Sequence, residues 1–165
     1  MESLPYGFCG MPCALCPYYH TKGQSRCIGC SHDGYFTGAC SIYKCFKKRE
    51  VLHCALCLEY PCGKCKKLKE FNCLDSKNAW LQICTVVREK GFDHWYQEYQ
   101  RKVELLDIAL DKYNNGRMKR FLCELFIQND IDKLEELLKR AELFVGSKNE
   151  ICKQFKIIAE QTAGK

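Results

Sequence analysis

The chain lacks any apolar run of about 18 residues, the length a membrane-crossing helix requires. Its first residues, Met1-Glu2-Ser3-Leu4-Pro5-Tyr6, have no basic stretch followed by an apolar one, so no secretory signal is expected and the protein is read as cytoplasmic. Proline is scarce, with all four (Pro5, Pro12, Pro17, Pro61) in the first 65 residues. There is no phosphate-binding glycine loop and no spacing that suggests Ser/His/Asp or Cys/His/Asn catalysis. His32 and Asp33 have no third partner for a hydrolytic site. No catalytic constellation is therefore legible, and the reading leans away from an enzyme. No internal repeat and no low-complexity segment is evident.

What is abundant is cysteine: 15 in 165 residues, 11 of them before residue 66. In a secreted chain such density signals a disulfide scaffold. In a reducing compartment it signals metal ligands or redox chemistry, and the odd count fits complete pairing poorly. The same 65 residues hold seven of the 11 glycines. So loop-rich a segment buries too little apolar area to fold alone, and metal would supply the missing cross-links.

The thiols fall in groups. Cys9, Cys13 and Cys16 give C-x3-C-x2-C. Cys27 and Cys30 flank Gly29, Cys40 and Cys45 are C-x4-C, and Cys54/Cys57 and Cys62/Cys65 are C-x2-C pairs. Paired turns present two sulfurs from one local structure, which suits tetrahedral zinc. The first expected set is Cys13, Cys16, Cys27 and Cys30. The second is Cys40, Cys45, Cys54 and Cys57. Cys62 is an alternative to Cys40, and Cys9 to Cys13 or Cys16. Two zinc ions are thus expected, each closed by four protein ligands and hence structural rather than catalytic. His32 and His53 are alternative nitrogen ligands. The rival cofactor is a [4Fe–4S] cluster, since the Cys9/Cys13/Cys16 triplet is also the spacing used by radical S-adenosylmethionine enzymes. Those enzymes need strand-helix alternation, which this chain lacks. Cys65 lies between Lys64 and Lys66, whose charges favour a thiolate; it is either reactive or a spare ligand. Cys84, Cys123 and Cys152 lie on helical stripes and are read as core.

The formal charge of +6 divides evenly, +3 in residues 1–65 and +3 in residues 66–165. Eight thiolates on two zinc ions would bring the total to about +2. Nucleic acid is therefore a poor candidate partner, despite the basic group Lys44, Lys47, Lys48 and Arg49. Trp95, Tyr96 and Tyr99 could stack on bases, but at helical spacing they read as packing. A protein partner is the better expectation.

From residue 66 helical patterns take over. The spacing predicts helices from Asp75 or Ser76 to Lys90, over 93–114, 117–128 and 131–145, and a last one opened by the capping box Ser147–Glu150. Phe92, Tyr96, Tyr99, Val103, Leu106, Leu110 and Tyr113 form a coiled-coil-like seam. The expected fold is mainly α: an irregular cysteine-rich zinc-stapled unit, residues 1–70, on an antiparallel helical bundle, residues 71–165.

The framework Cys9-Gly10…Cys13…Cys16-Pro17, Cys27…Gly29-Cys30, Cys40…Ile42…Cys45 and His53-Cys54-Ala55…Cys57…Glu59-Tyr60-Pro61-Cys62 resembles the domain-of-unknown-function 3795 family of cysteine-rich prokaryotic proteins. The likeness covers about residues 6–70. It implies a recurring zinc-binding unit and no known activity. Members often carry an additional cysteine, besides Cys40, by the position of Ser41, which this chain lacks, and it has Cys65 where they more often have an apolar residue.

Overall fold

The computed structural model describes residues 4–35, 37–67 and 79–163. Among them are seven α-helices and no strand: α1 Ser41–Arg49, α2 Gly63–Lys67, α3 Ala79–Lys90, α4 Phe92–Lys112, α5 Lys119–Gln128, α6 Ile131–Ala141 and α7 Lys148–Ala163. Three single 3-10 turns, Cys13–Leu15, Cys30–His32 and Cys54–Leu56, punctuate the irregular first third. The fold is mainly helical with an irregular cysteine-rich N-terminal region, as the patterns predict.

α4 is the axis. It packs on α3, α5, α6 and the turn at Cys13–Leu15. A helix covered from several sides buries more than a two-residue seam. Trp95, Leu105 and Ala109 accordingly join Tyr99, Val103, Leu106 and Tyr113 in the interior, while Phe92, Tyr96 and Leu110 are only half-buried. Phe126, Leu134 and Phe155 fill the far end, with Phe155 stacked on Tyr113 at 4.3 Å between ring centroids.

Helix ends follow local chemistry. Gly91, at φ 93°, separates α3 from α4 in a conformation that favours glycine. The Asn114 side chain accepts from the backbone of Gly116 and Met118, which delays α5 until Lys119. α6 stops at Ala141 instead of reaching Val145, and Leu143 and Val145 are 82% and 86% exposed. No helix face buries them, so apolar character alone does not extend the helix. The start expected for α3 at residues 75–76 lies outside the described residues.

The capping box forms: Glu150 accepts from the Ser147 backbone at 2.8 Å, and the Ser147 hydroxyl accepts in return from the Glu150 backbone at 3.4 Å. Ser147→Ala is expected to cost about 1 kcal/mol. In a chain of this size that lowers the thermal midpoint by roughly 2–4 °C, read by circular dichroism.

The expected boundary at residue 70 also falls outside the described residues. On either side of it the side chains share one core. Tyr6, Phe8, Ala14, Leu15, Ile42 and Ala55 belong to the same buried cluster as Trp80, Trp95 and Leu106. Tyr6 lies among Phe92, Trp95 and Tyr96, at 5.4, 5.7 and 6.1 Å. Two tyrosines on α4 add polar ties. Tyr96 Oη accepts from the Leu4 backbone at 2.7 Å. Tyr99 Oη accepts from the Ala14 backbone at 2.6 Å and donates to the Pro5 carbonyl at 2.5 Å. These aromatics are packing residues that dock the cysteine-rich loops on the bundle.

Candidate metal centre

The tetrapeptide Cys-Ala-Leu-Cys occurs twice, at Cys13–Cys16 and Cys54–Cys57, and builds the same turn each time. The second cysteine's N–H bonds to the carbonyl of the first at 3.0 Å in both. A tyrosine three residues on closes a further turn at 3.0 Å, Tyr19 to Cys16 and Tyr60 to Cys57. The central alanines, Ala14 and Ala55, are buried in both. A local repeat of the metal-knuckle kind is therefore present where the sequence showed none. Its trace is only four identical residues, too few for a periodicity search to register.

The first turn anchors a cluster of thiols. The Cys30 backbone N–H donates to Cys13 Sγ at 3.4 Å, and a bond between the two side chains pushes the Cys13 thiol well up and the Cys30 thiol down. Cys16 lies within electrostatic reach of Cys27 and Cys30, and burial raises its pKa. Cys13 is thus tied to Cys30, and Cys16 feels the charges of Cys27 and Cys30. Gly29 and Gly34 let the chain fold tightly there. A Cβ on Gly29, at φ 89°, would lie 2.3 Å from Pro5 Cβ and 3.2 Å from Cys13 Cβ. One on Gly34 would lie 2.9 Å from Cys27 Sγ.

The second expected set is not assembled as the spacing suggested. Cys40 stands within reach of Cys9 and Cys30, so it belongs with the first cluster. Its sulfur caps α1, accepting from the Tyr43 backbone at 3.4 Å. Cys45, Cys54, Cys57, Cys62 and Cys65 together line one narrow groove. Within it, Arg49 reaches Cys57 Sγ at 3.8 Å and Glu59 at 2.8 Å, with Cys45 nearby. Cys54 pairs with Cys65: their side-chain hydrogen bond raises the Cys54 pKa and, first among the causes, lowers that of Cys65 to about 6. Cys62 Sγ lies 3.8 Å from Cys65 Sγ. Cys65, taken as reactive or spare, is thus buried at the centre of a three-sulfur chain.

Several sulfurs receive backbone N–H groups: Cys9 from Met11, Cys16 from Tyr18 and Tyr19, Cys40 from Ile42 and Tyr43, and Cys13 from Cys30. Such donors stabilise a thiolate and orient it. All fourteen described cysteines are free of disulfides. Among the described residues, however, no three His, Cys, Asp or Glu side chains converge closely enough to hold an ion. The donors fit zinc in kind and in their N–H support.

The other candidates sort clearly. His53 is wholly buried; its Nδ1 accepts from the Ala55 backbone at 3.1 Å, and burial depresses its pKa to about 4. Its Nε2 has no hydrogen-bond partner among the described residues and lies against Gly10. His32 sits in the turn Cys30–His32. Of the basic group, Arg49 is engaged with Glu59, and Lys47 lies 4.0 Å from Asp33 and over the Tyr43 ring. Cys84, Cys123 and Cys152 are buried in the helical half, and burial pushes Cys123 up to about 12. Cys123→Ser is expected to leave metal content unchanged by atomic emission analysis.

Comparison with protein families, curated proteins and solved structures finds no match to this chain. No described helix is long and apolar enough to cross a membrane.

Proposed function

We propose that this is a zinc-binding protein whose ion is structural, held by Cys13, Cys16, Cys27 and Cys30, with Cys9 and Cys40 as flanking thiols. One observation supports this reading: half-buried and buried sulfurs from separate loops lie within electrostatic reach of one another and several accept backbone N–H groups, with no disulfide among them. A group of buried thiolates needs a cation to offset its desolvation, and soft thiolates select zinc over harder ions. Zinc bound there would cross-link the loops around Gly29 and Gly34 and staple them to the first Cys-Ala-Leu-Cys turn. The proposal is for one ion at this set, since Cys40 and Cys54 have other neighbours than the second set requires. The framework also supports placing the chain with the 3795 family.

Four protein ligands leave no position open for water or substrate. The role is therefore that of a stapled scaffold acting through contacts with another protein, for which the exposed Leu56 and Leu58 beside the second knuckle supply apolar surface. Substitution by cobalt(II) tests the ligand set. Tetrahedral thiolate coordination gives intense visible and sulfur-to-cobalt absorption, expected in the wild type and lost in Cys13→Ser. The pale spectrum of six-coordinate cobalt would overturn the assignment.

A further inference from the structure

The groove-lining thiols that the zinc reading leaves over have a geometry of their own. Cys62 and Cys65 are separated by Gly63 and Lys64, and Cys62 immediately precedes α2. The Lys66 N–H bonds to the Cys62 carbonyl at 3.1 Å, so the helical path begins at Cys62. Helical geometry puts the two Cα atoms about 5–5.5 Å apart, inside the 4.4–6.8 Å range of disulfides. Their sulfurs are 3.8 Å apart, and side-chain rotation alone brings them to the roughly 2.05 Å of an S–S bond. The two differ in access. Cys62 is half-buried on the groove wall, whereas Cys65 is 3% exposed. The Cys54 side chain, hydrogen-bonded to Cys65, holds the inner sulfur beside the outer one.

We propose that Cys62 and Cys65 form a dithiol that a low-molecular-weight disulfide oxidises reversibly. The reachable Cys62 thiolate attacks one sulfur of the external disulfide, RS–SR. A Cys62–S–S–R bond forms, the RS–SR bond breaks, and one RS⁻ leaves. Cys65 then attacks the Cys62 sulfur as a thiolate. The Cys62–Cys65 bond forms and the second RS⁻ leaves, both leaving groups taking up the protons released. Two electrons pass from the protein dithiol to the external disulfide, and excess thiol reverses both steps. Cys62 and Lys64 stand on the wall of the same groove, and the lysine's charge favours the approach of a small anionic peptide disulfide to the half-buried Cys62.

The test treats the full, zinc-supplied chain with oxidised glutathione, followed by acid quench, alkylation and tryptic mapping, with zinc measured in the same sample. Trypsin cuts after Arg49, Lys64 and Lys66, so a link from Cys65 appears as two joined peptides, and fragmentation of the one covering residues 50–64 places the link on Cys62 rather than on Cys54 or Cys57. The expected result is a Cys62–Cys65 disulfide as the dominant product, two thiols lost per chain, full recovery in dithiothreitol and unchanged zinc. In Cys65→Ser the glutathione adduct should accumulate on Cys62. The inference is overturned if Cys62 stays a free thiol while other cysteines oxidise, or if Cys62→Ser or Cys65→Ser releases zinc, which would make the pair ligands. A chain devoid of zinc would sink the metal reading and leave the disulfide result to be judged separately.

Discussion

Cys27→Ser is expected to release the bound zinc and unfold the loops of residues 4–62. Cys27 is 7% exposed, its sulfur lies where a Cβ on Gly34 would clash, and Cys16 is within electrostatic reach. Serine supplies a hydroxyl that does not ionise at neutral pH and is a poor zinc ligand, so the cage would lose a ligand rather than exchange one. Structural zinc sites in small peptides are worth about 10–16 kcal/mol, and in a loop-rich unit most of that is folding free energy. Because Tyr6, Phe8 and Leu15 share a core with α4, the damage should spread to the bundle. Zinc content and near-ultraviolet circular dichroism should fall together. A variant that keeps its zinc and its spectrum would show that Cys27 is an ordinary buried thiol.

The second large effect is expected from a residue with no role in the metal chemistry. Tyr99→Phe removes one oxygen that serves both the Ala14 N–H and the Pro5 carbonyl. Tyr99 is 3% exposed, so water does not readily replace it. Each buried backbone group left unpaired costs about 1–3 kcal/mol, giving roughly 2–6 kcal/mol for the pair. The ring stays stacked on Trp95 at 5.4 Å, so little packing is lost. Urea unfolding should show a lower midpoint at nearly constant m-value. A loss below about 0.5 kcal/mol, within the range of ordinary surface substitutions, would mean that these hydrogen bonds do not dock the loops.

The helical half was legible because its periodicity is long and its stops are chemical: Gly91, Asn114 and Ser147 each act at the backbone where they stand. α6 was read too far, since Leu143 and Val145 look like helix interior until one asks what covers them. The breadth of the α4 interior was hidden for a related reason, because a seam drawn from one helix does not reveal how many neighbours surround it.

In the cysteine-rich third, spacing located the thiols but sorted them only in part. Cys13 and Cys16 sit on one short turn, and the Cys30 backbone reaches the Cys13 sulfur. Cys40 and Cys45 are also near in sequence, but Cys40 caps α1 and Cys45 lies within it, roughly one and a half turns on, so Cys40 comes within reach of Cys30 while Cys45 lines the groove. Loop paths of this kind depend on docking against Trp80, Trp95 and Tyr99, which no local motif records. The burial of His53 follows from packing against Phe92 and Trp95 at 6.3 and 5.5 Å.

The central claim is that these thiols hold zinc. Metal analysis with a visible spectrum, on protein purified without oxygen, tests it most directly. The account predicts colourless protein with about one zinc per chain, as a single four-thiolate site requires. Brown protein containing iron and absorbing near ~400 nm, as thiolate-bound clusters do, or protein with no metal at all, would contradict it.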